Sequence, residues 1–362
     1  MRVRLSLRVP MTCRTFRGAF ARAGKSVTWH NDDMHRAALA FALVACGART
    51  DLGGTRGDGG FLDASHDVST PDAAADVSPS KCPAVDYIDD TEGSTVFAID
   101  DTRIYFVNDP CAVTALTKDG VPILTFTMGA DCAGEIVVDD HDVYWTSAAG
   151  HLMRHAKDGS GGASDLGCAA LDGCPGNVHV RAVAKDVVVL VDGFRPVAMP
   201  KVAGLPYPLM PSGFAPPAPV HYVFVDDTRA YWNTDIRVFS SALDGSTLPL
   251  EYATASIGLA INSTEVYWTA NAQGNLLVLD SSSKDGSKLG GLSNSDTSTP
   301  LVANDAFVYG VSPVGITRQP TSGAPPTAIV LKVHPLTLAL DDSCVYFAEK
   351  TDTGRRIARA PN

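Results

Sequence analysis

The stretch VDDHDVYWTSAAGHLMRHAKDGS, Val138 to Ser160, decides the fold because the chain repeats its order of residues. An Asp-Asp step is followed by a Tyr-Trp pair and then by an Asp-Gly turn. Similar copies recur about every 40 residues, and their tyrosines are Tyr105, Tyr144, Tyr231, Tyr267, Tyr309 and Tyr346. A degenerate copy, VAKDVVVLV at 183–191, lies between the second and third, with its register left open from Val188 to Leu190. Seven copies at this period are typical of a propeller or an array with one supersecondary unit per repeat.

Each copy predicts antiparallel strands joined by tight turns. Apolar residues alternate before the aspartates, as Ile136 and Val138 do, and a period of two indicates one buried face. The aspartates favour a tight turn, and the segment after them, such as VYWT at 143–146, is rich in β-branched and aromatic residues. A third strand leads to a turn such as Asp158-Gly159, which predicts a hairpin with positive φ at both turn residues. The unit is therefore a four-stranded antiparallel meander.

Seven such units predict an all-β fold, a β-propeller of about seven four-stranded antiparallel blades in residues 82–362. The last copy ends at Asn362 after its third strand. We expect residues 82–90 to supply the missing outer strand and to close the ring. An open solenoid is the weaker alternative, because neither end shows a polar capping repeat.

The segment DDHDVYWTSAAGHLMRHAKDGS, residues 139–160, resembles the YWTD-type propeller repeat of the low-density-lipoprotein receptor family and its bacterial relatives. The resemblance covers most of residues 94–362. It implies a rigid, non-enzymatic propeller that binds proteins or organises a surface. The chain departs from that family at the fourth letter of the motif, which is Ser147, Thr234 or Ala270 instead of Asp, and in having seven copies instead of six.

The region 1–45 has the layout of a secretory signal peptide. In MHRAALAFALVACG, residues 34–47, a short basic start leads into nine apolar residues, and as a helix these rise only about 14 Å, too short to span a bilayer. Leu43 to Cys46 resembles the lipobox of bacterial lipoproteins, which implies that Cys46 becomes the acylated first residue. A buried apolar helix that happens to end in cysteine is the alternative. Because 33 residues precede Met34, we expect translation to start there, with a long basic leader as the other possibility.

Residues 46–81 are expected to form a disordered, lipid-anchored linker, because Gly, Ala, Asp, Ser, Thr and Pro dominate them. As a flexible coil, residues 47–81 reach about 33 Å. The first 45 residues contain eight of the 29 basic residues but two of the 40 acidic ones, so the remainder carries 21 basic and 38 acidic residues, a net charge of −17. Such an acidic body excludes nucleic-acid binding, which needs a basic surface.

Four side chains are candidates for a site at one mouth of the central channel. Glu135, His179, His221 and His334 fall at or near the starts of the predicted inner strands. Propeller lactonases and lyases use acids and histidines in such places, although scattered polar residues on the rim are the simpler interpretation. We therefore predict an exported, membrane-anchored, non-catalytic binding or scaffold module at the cell envelope, with an envelope or extracellular protein or carbohydrate as partner. A lactonase-like or lyase-like propeller enzyme is the alternative.

Other candidate chemistry has simpler explanations. His151 and His155 would lie about 13 Å apart on a strand, too far to share one metal ion. The Tyr-Trp pairs are expected to pack between blades, because adjacent side chains on a strand point to opposite faces. No P-loop, G-x-G-x-x-G, G-x-S-x-G or H-E-x-x-H pattern occurs, so we predict no catalytic residue, metal or cofactor.

Six cysteines follow the linker and allow 15 pairings in an oxidising compartment. Cys168 and Cys174 would close a short loop and are the best local candidates for a disulfide.

The segment Phe194 to Val220 contains eight prolines. Proline is tolerated on an outer edge strand, where it blocks association between sheets. An apolar extended surface for a partner is the other interpretation.

Overall fold

A computed structural model describes residues 82–362 apart from short gaps at 83–84, 91–95, 109–110, 130–131, 175–176, 203, 212–217, 255, 272–276, 295–297 and 353. The predicted signal peptide, the linker, Met34 and Cys46 lie outside the described residues. Part of the proline-rich segment falls in the gaps. Among the residues that the structure describes, no helix is long and apolar enough to cross a membrane.

The strands form seven four-stranded antiparallel sheets, as the repeat predicted. We number these sheets blades 1 to 7 in chain order. The inner strands are β2 (Phe97–Ile99), β6 (Cys132–Val138), β10 (Val178–Val183), β14 (Val220–Val225), β18 (Gly258–Ile261), β22 (Ser298–Ala303) and β26 (Pro335–Leu340). The second strands are β3 (Arg103–Asn108), β7 (Asp142–Ser147), β11 (Val187–Asp192), β15 (Arg229–Thr234), β19 (Glu265–Asn271), β23 (Phe307–Ser312) and β27 (Cys344–Lys350).

The third and outer strands complete each blade. The third strands are β4 (Ala112–Thr117), β8 (His151–Ala156), β12 (Arg195–Pro200), β16 (Arg237–Ala242), β20 (Leu277–Ser283), β24 (Gly315–Pro320) and β28 (Arg355–Pro361). The outer strands are β5 (Pro122–Thr127), β9 (Ser164–Cys168), β13 (Tyr207–Pro208), β17 (Leu250–Thr254), β21 (Leu289–Asn294), β25 (Thr327–Leu331) and, in blade 7, β1 (Val85–Asp90).

The ring is closed by the amino-terminal strand. Each inner strand contacts the inner strands of its two neighbours, and β26 contacts β2, so the blades form a seven-bladed propeller. Strand β1 pairs with β28, which confirms that the start of the body supplies the missing strand of blade 7. A disulfide joins Cys82, just before β1, to Cys344 at the start of β27, across 262 residues. A second disulfide joins Cys168 to Cys174.

The aromatic residues of the repeat pack between blades. Trp145 lies in a core with residues of blade 1, whereas its neighbour Tyr144 lies in a core with residues of blade 3. Both side chains are at most 1% exposed. This arrangement confirms that the Tyr-Trp pairs are core residues, and it follows from the alternation of side chains on a strand.

Two local details are settled by the strand pairing. In the degenerate copy, Val189 faces Ala182 as Tyr144 faces Val137, so Val189 takes the place of the tyrosine. The Asp-Gly prediction was wrong in one respect: the glycines, such as Gly159, have positive φ, but their aspartates do not. The amide of Gly159 instead donates to the carbonyl of Ala156 at 3.1 Å. This bond is typical of a longer hairpin loop that ends in a left-handed glycine.

The alternation of strands gives the propeller two different faces. The upper face carries the starts of the inner strands and the turns between second and third strands. The lower face carries the Asp-Asp turns between inner and second strands and the Asp-Gly turns between third and outer strands. Cys82 and Cys344 lie at the lower face, so the chain enters the propeller there.

Candidate functional site

A repeated polar contact joins neighbouring blades at the lower face, and we call it the Asp–Tyr–Lys contact. In the seam between blades 2 and 3, one carboxylate oxygen of Asp139 accepts hydrogen bonds from the amides of His141 and Asp142, at 2.8 and 2.7 Å. Its other oxygen accepts from the Tyr144 hydroxyl at 2.9 Å and from Lys201 of blade 3 at 2.5 Å. The ammonium group also lies 5.8 Å from the centre of the Tyr144 ring.

In the described residues this contact occurs at four of the seven seams. The sets are Asp100–Tyr105–Lys157, Asp139–Tyr144–Lys201, Asp226–Tyr231–Lys284 and Asp341–Tyr346–Lys118. The last of them joins blade 7 to blade 1 and therefore spans the closure of the ring. The contact uses the aspartate that begins each turn, whereas the second aspartate is exposed to solvent.

The other three seams carry matched replacements at both positions. Between blades 3 and 4, Ala184 and Leu243 replace the aspartate and the lysine, and their amides make the same backbone bonds. Leu243 joins an apolar core there. At the remaining two seams the equivalent positions hold Asn262 and Thr321 in one and Asn304 and Asn362 in the other. At every seam the two equivalent positions therefore have the same character: both are charged, both apolar or both polar. A buried charge without a partner would lower the stability.

The contacts stabilise the ionised form of the aspartates. Burial alone would raise the pKa of Asp100, but hydrogen bonds from Lys157, the backbone and Tyr105 outweigh it and lower the pKa to about 2. Asp139 has the same balance and a pKa of about 2. The pKa values of Asp226 and Asp341 are lowered for the same reasons.

These pKa values predict that acid weakens the propeller. An aspartate that titrates near 2 when folded and near 3.9 when unfolded contributes about 2 kcal/mol above pH 4, and that contribution is lost as the pH falls toward 2. We expect the urea midpoint to be flat from pH 7 to 5 and to fall steeply below pH 4. The double variant Asp139→Asn, Lys201→Gln should show a shallower fall, and an identical profile would contradict the assignment.

The tyrosine hydroxyls give a second prediction, because their partners differ between blades. Tyr144 donates to the carboxylate of Asp139, whereas the buried hydroxyl of Tyr309 has no carboxylate partner and lies beside Asn304 and Arg318. We expect Tyr144→Phe to lower the free energy of unfolding by about 1–2 kcal/mol and Tyr309→Phe to lower it less. Urea unfolding of the two matched variants measures the difference, and equal losses would show that the hydroxyl bond is not what matters.

The channel mouth at the upper face holds a second polar cluster. Glu135 accepts from Arg181 at 2.8 Å, and its other oxygen lies 3.0 Å from Nδ1 of His179. Nε2 of His179 lies 3.1 Å from the side-chain oxygen of Asn177. The structure therefore brings two of the four candidate residues together, with an arginine that balances the glutamate.

The other two histidines make contacts of their own, although His221 also lines the channel together with Glu135. Nε2 of His221 lies 2.6 Å from Asp235, at the following turn of its own blade. His334 precedes β26, and its backbone amide donates to Glu349 at 3.2 Å. In the described part of the chain, no three His, Cys, Asp or Glu side chains come together as a metal site would require.

A cavity of about 310 Å³ occupies the channel at this mouth. Its wall is only slightly more apolar than polar, and the titratable residues that line it are Glu135, Arg181, His221 and Tyr222. The apolar residues of the wall include Phe97, Ile136, Val180, Leu301 and Leu336.

Two kinds of functional residue were missed in the sequence analysis. Three of the lysines, Lys118, Lys157 and Lys284, directly precede an Asp-Gly turn. The Asp-Gly pairs were used above to predict turns, whereas the recurrence of lysine before them was not used. Arg181 follows His179 by two residues on β10, a spacing that predicts one shared face in a regular strand, and both side chains contact Glu135 although the pairing shifts at Arg181. Neither pattern indicates which carboxylate the lysine or the arginine binds, because that carboxylate lies in another blade.

Comparisons with known proteins show the fold alone. No protein-family model matches the chain, and no curated protein matches it. The computationally designed Ika8 protein is similar over 72% of this chain and 81% of its own, with 14% identity and a TM-score of 0.54. The Pan2 WD40 domain of Neurospora crassa covers 77% of this chain and 94% of its own, with 8% identity and a TM-score of 0.54. YCF48 from Cyanidioschyzon merolae covers 77% and 98%, with 9% identity and a TM-score of 0.55.

Proposed function

We propose that the chain is an exported β-propeller, lipid-anchored through Cys46, that acts as a non-catalytic binding or scaffold module at the cell envelope. In a bacterium with two membranes it would sit on the outer membrane or the cell surface. Its partner is an envelope or extracellular protein or carbohydrate. The proposal includes a kinship of its repeats with the YWTD type, on the residues quoted above.

The observation that carries the proposal is the use of the repeat's polar residues between blades. The aspartates, tyrosines and lysines that recur most regularly bind one another between neighbouring blades. What the ring presents to solvent is a rigid surface, and a preorganised surface binds with a smaller entropic cost. A framework of this kind suits recognition better than chemistry.

The disulfides support export. Cys82 and Cys344 are almost completely buried and join the two ends of the ring, and Cys168 and Cys174 close a six-residue separation. Disulfides persist in oxidising compartments and are rare in the cytosol.

Labelling with a palmitate analogue tests the anchor. Full-length chain expressed in a bacterium should incorporate the label and sediment with membranes, and Cys46→Ser should do neither. Cys13→Ser is the matched control and should behave as the unchanged chain. Incorporation that survives Cys46→Ser would contradict acylation at this residue.

Affinity capture tests the binding role. Full-length chain with a carboxy-terminal tag should retain a saturable set of envelope components, and excess untagged chain should compete for them. A heat-unfolded sample is the control. Retention that matches this control would contradict the binding role.

One observation favours the enzyme as a second candidate. Glu135 and His179 lie 3.0 Å apart at the channel mouth, a spacing that acid–base chemistry could use. Hydrolysis of a panel of lactones, measured with the full chain and with His179→Gln, separates the two functions. We expect no turnover, and hydrolysis that depends on His179 would establish the enzyme instead.

A further inference from the structure

The cavity at the upper channel mouth lies on the axis of the ring. Its wall contains residues at the inner strands of blades 1, 2, 3, 4, 6 and 7. The cavity is open to solvent, because Leu336 in its wall is 54% exposed and the side chain of His221 is 40% exposed. Side chains from most of the ring therefore converge on one accessible space.

The size of the cavity limits what can enter it. An apolar cavity of about 150 Å³ holds one benzene ring of six carbon atoms. In the same proportion, the cavity of about 310 Å³ holds a molecule of about 12 non-hydrogen atoms. One six-membered sugar ring with its hydroxyl groups has this size, whereas a disaccharide exceeds it.

One side of the cavity presents a hydrogen-bond donor next to an acceptor. Nη1 of Arg181 donates to Oε1 of Glu135 at 2.8 Å, and Oε2 lies 3.0 Å from the His179 ring. The Arg181 and Glu135 side chains are 30% and 21% exposed. A guanidinium group can donate five hydrogen bonds and a carboxylate can accept about four, so both have capacity beyond this pair. Because a hydroxyl group both donates and accepts, neighbouring hydroxyls can bind the two side chains without separating them.

The charges at this mouth are balanced. Arg181 neutralises Glu135, and Nε2 of His221 lies 2.6 Å from Asp235. A ligand with a net charge would compete with these pairs or bring an uncompensated charge into a partly desolvated site, and an uncharged ligand does neither. Glu135 is also the only carboxylate among the described residues that line the cavity, whereas glycoside hydrolysis uses two. The arrangement therefore suits the binding of a neutral molecule.

The rest of the wall supplies apolar and aromatic surface. Phe97, Tyr222 and Leu301 are among the residues that line it. A sugar ring carries C–H groups on its faces and hydroxyl groups at its edge, so it can pack on such side chains while its hydroxyls bind the polar pair. A wall that is only slightly more apolar than polar matches this mixed surface better than it matches a hydrocarbon.

We infer that the upper mouth of the channel binds one uncharged six-membered sugar ring, with hydroxyl groups on Glu135 and Arg181 and a C–H face against the apolar wall. This inference rests on the proposed binding function and specifies a carbohydrate as the partner. A free monosaccharide and the terminal residue of a longer glycan share this chemistry.

Saturation-transfer NMR and titration calorimetry with the intact full-length chain test the inference. The neutral sugars are glucose, galactose, mannose and N-acetylglucosamine, and the counterparts are glucuronate, glucosamine and cyclohexanol. At least one neutral sugar should bind, and it should bind more tightly than the charged and apolar counterparts. Glu135→Gln should weaken this binding about tenfold or more, because it replaces a charged acceptor by a neutral one.

Two further variants separate loss of binding from loss of structure. Leu336→Trp keeps the polar pair and enlarges an exposed side chain of the wall, so it should also weaken binding about tenfold by filling the mouth. Glu251→Gln is the matched control. Glu251 pairs with Arg237 at 3.0 Å and is not among the described residues that line the cavity, so this variant should bind as the unchanged chain does. Urea unfolding shows whether each variant is folded.

Methyl glycosides distinguish the two sources of the sugar. Binding equal to that of the free sugar supports the terminal residue of a glycan, whose glycosidic bond would point out of the mouth. Binding of the free sugar alone supports a monosaccharide.

The contrary outcomes are distinguishable. Tighter binding of glucuronate, glucosamine or cyclohexanol would contradict the chemistry of the ligand. Sugar binding that neither Glu135→Gln nor Leu336→Trp weakens would place the site outside the channel. If no sugar binds but envelope components are still retained in affinity capture, the inference fails and the binding role stands. If no sugar binds and nothing is retained, both fail together.

Discussion

Replacement of Cys82 and Cys344 by alanine is expected to lower the free energy of unfolding by about 4 kcal/mol. The disulfide closes a loop of 262 residues, so its loss frees a large part of the conformational entropy of the unfolded chain. It also leaves β1 held by its pairing with β28 and by the contacts of Tyr87 with Tyr346 and Lys118. Urea unfolding measures the loss, and hydrogen exchange should show the amides of 85–90 losing protection first.

The chain contains a matched control for this variant. The Cys168–Cys174 disulfide closes a separation of only six residues, so its replacement by alanine should cost about 2 kcal/mol. It lies in blade 2 and at the end of β9, away from the closure of the ring. Equal losses for the two pairs, or unchanged protection of β1, would show that the long-range disulfide is not what closes the propeller.

Asp139→Ala is expected to lower the free energy of unfolding by about 3–4 kcal/mol. The substitution leaves the Lys201 ammonium group without its carboxylate in a seam where both side chains are 16% exposed. It also removes the nearer of the two acceptors of the Tyr144 hydroxyl and leaves Asp142 at 3.4 Å. Breaking one member of a buried pair costs more than the pair contributes, because the remaining charge stays desolvated.

The seam between blades 3 and 4 suggests a second substitution that should restore the stability lost in Asp139→Ala. There Ala184 faces Leu243, so Asp139→Ala combined with Lys201→Leu copies a pair that the propeller already uses. We expect the double variant to recover at least half of the loss. Urea unfolding of the single and double variants measures this coupling. Additive losses would contradict the pairing of the two positions.

Asn304→Ala is a control for the turn itself. Asn304 accepts from the amides of Ala306 and Phe307, at 3.0 and 2.8 Å, as the aspartates do, but it holds no lysine. Its loss should cost about 1 kcal/mol. The difference from Asp139→Ala then measures the unpaired charge.

The sequence by itself was enough to predict the blades. Alternation before Asp139, the Tyr-Trp pairs and the period near 40 residues are local signals, and each follows from strand geometry within one repeat. The missing outer strand could be found by counting strands, because Asn362 follows a third strand. The strands of a repeat could therefore be predicted from the residues of that repeat alone.

Only the tertiary structure decided which side chains meet across blades. Lys201 is 62 residues from Asp139, and Cys344 is 262 residues from Cys82, so no spacing in the sequence pairs them. The grouping of Glu135 with Arg181 also depends on strands that lie side by side only after the chain has folded into blades. A repeat dictates its own strands because backbone preferences are local, whereas the partner of a buried charge is set by packing between repeats.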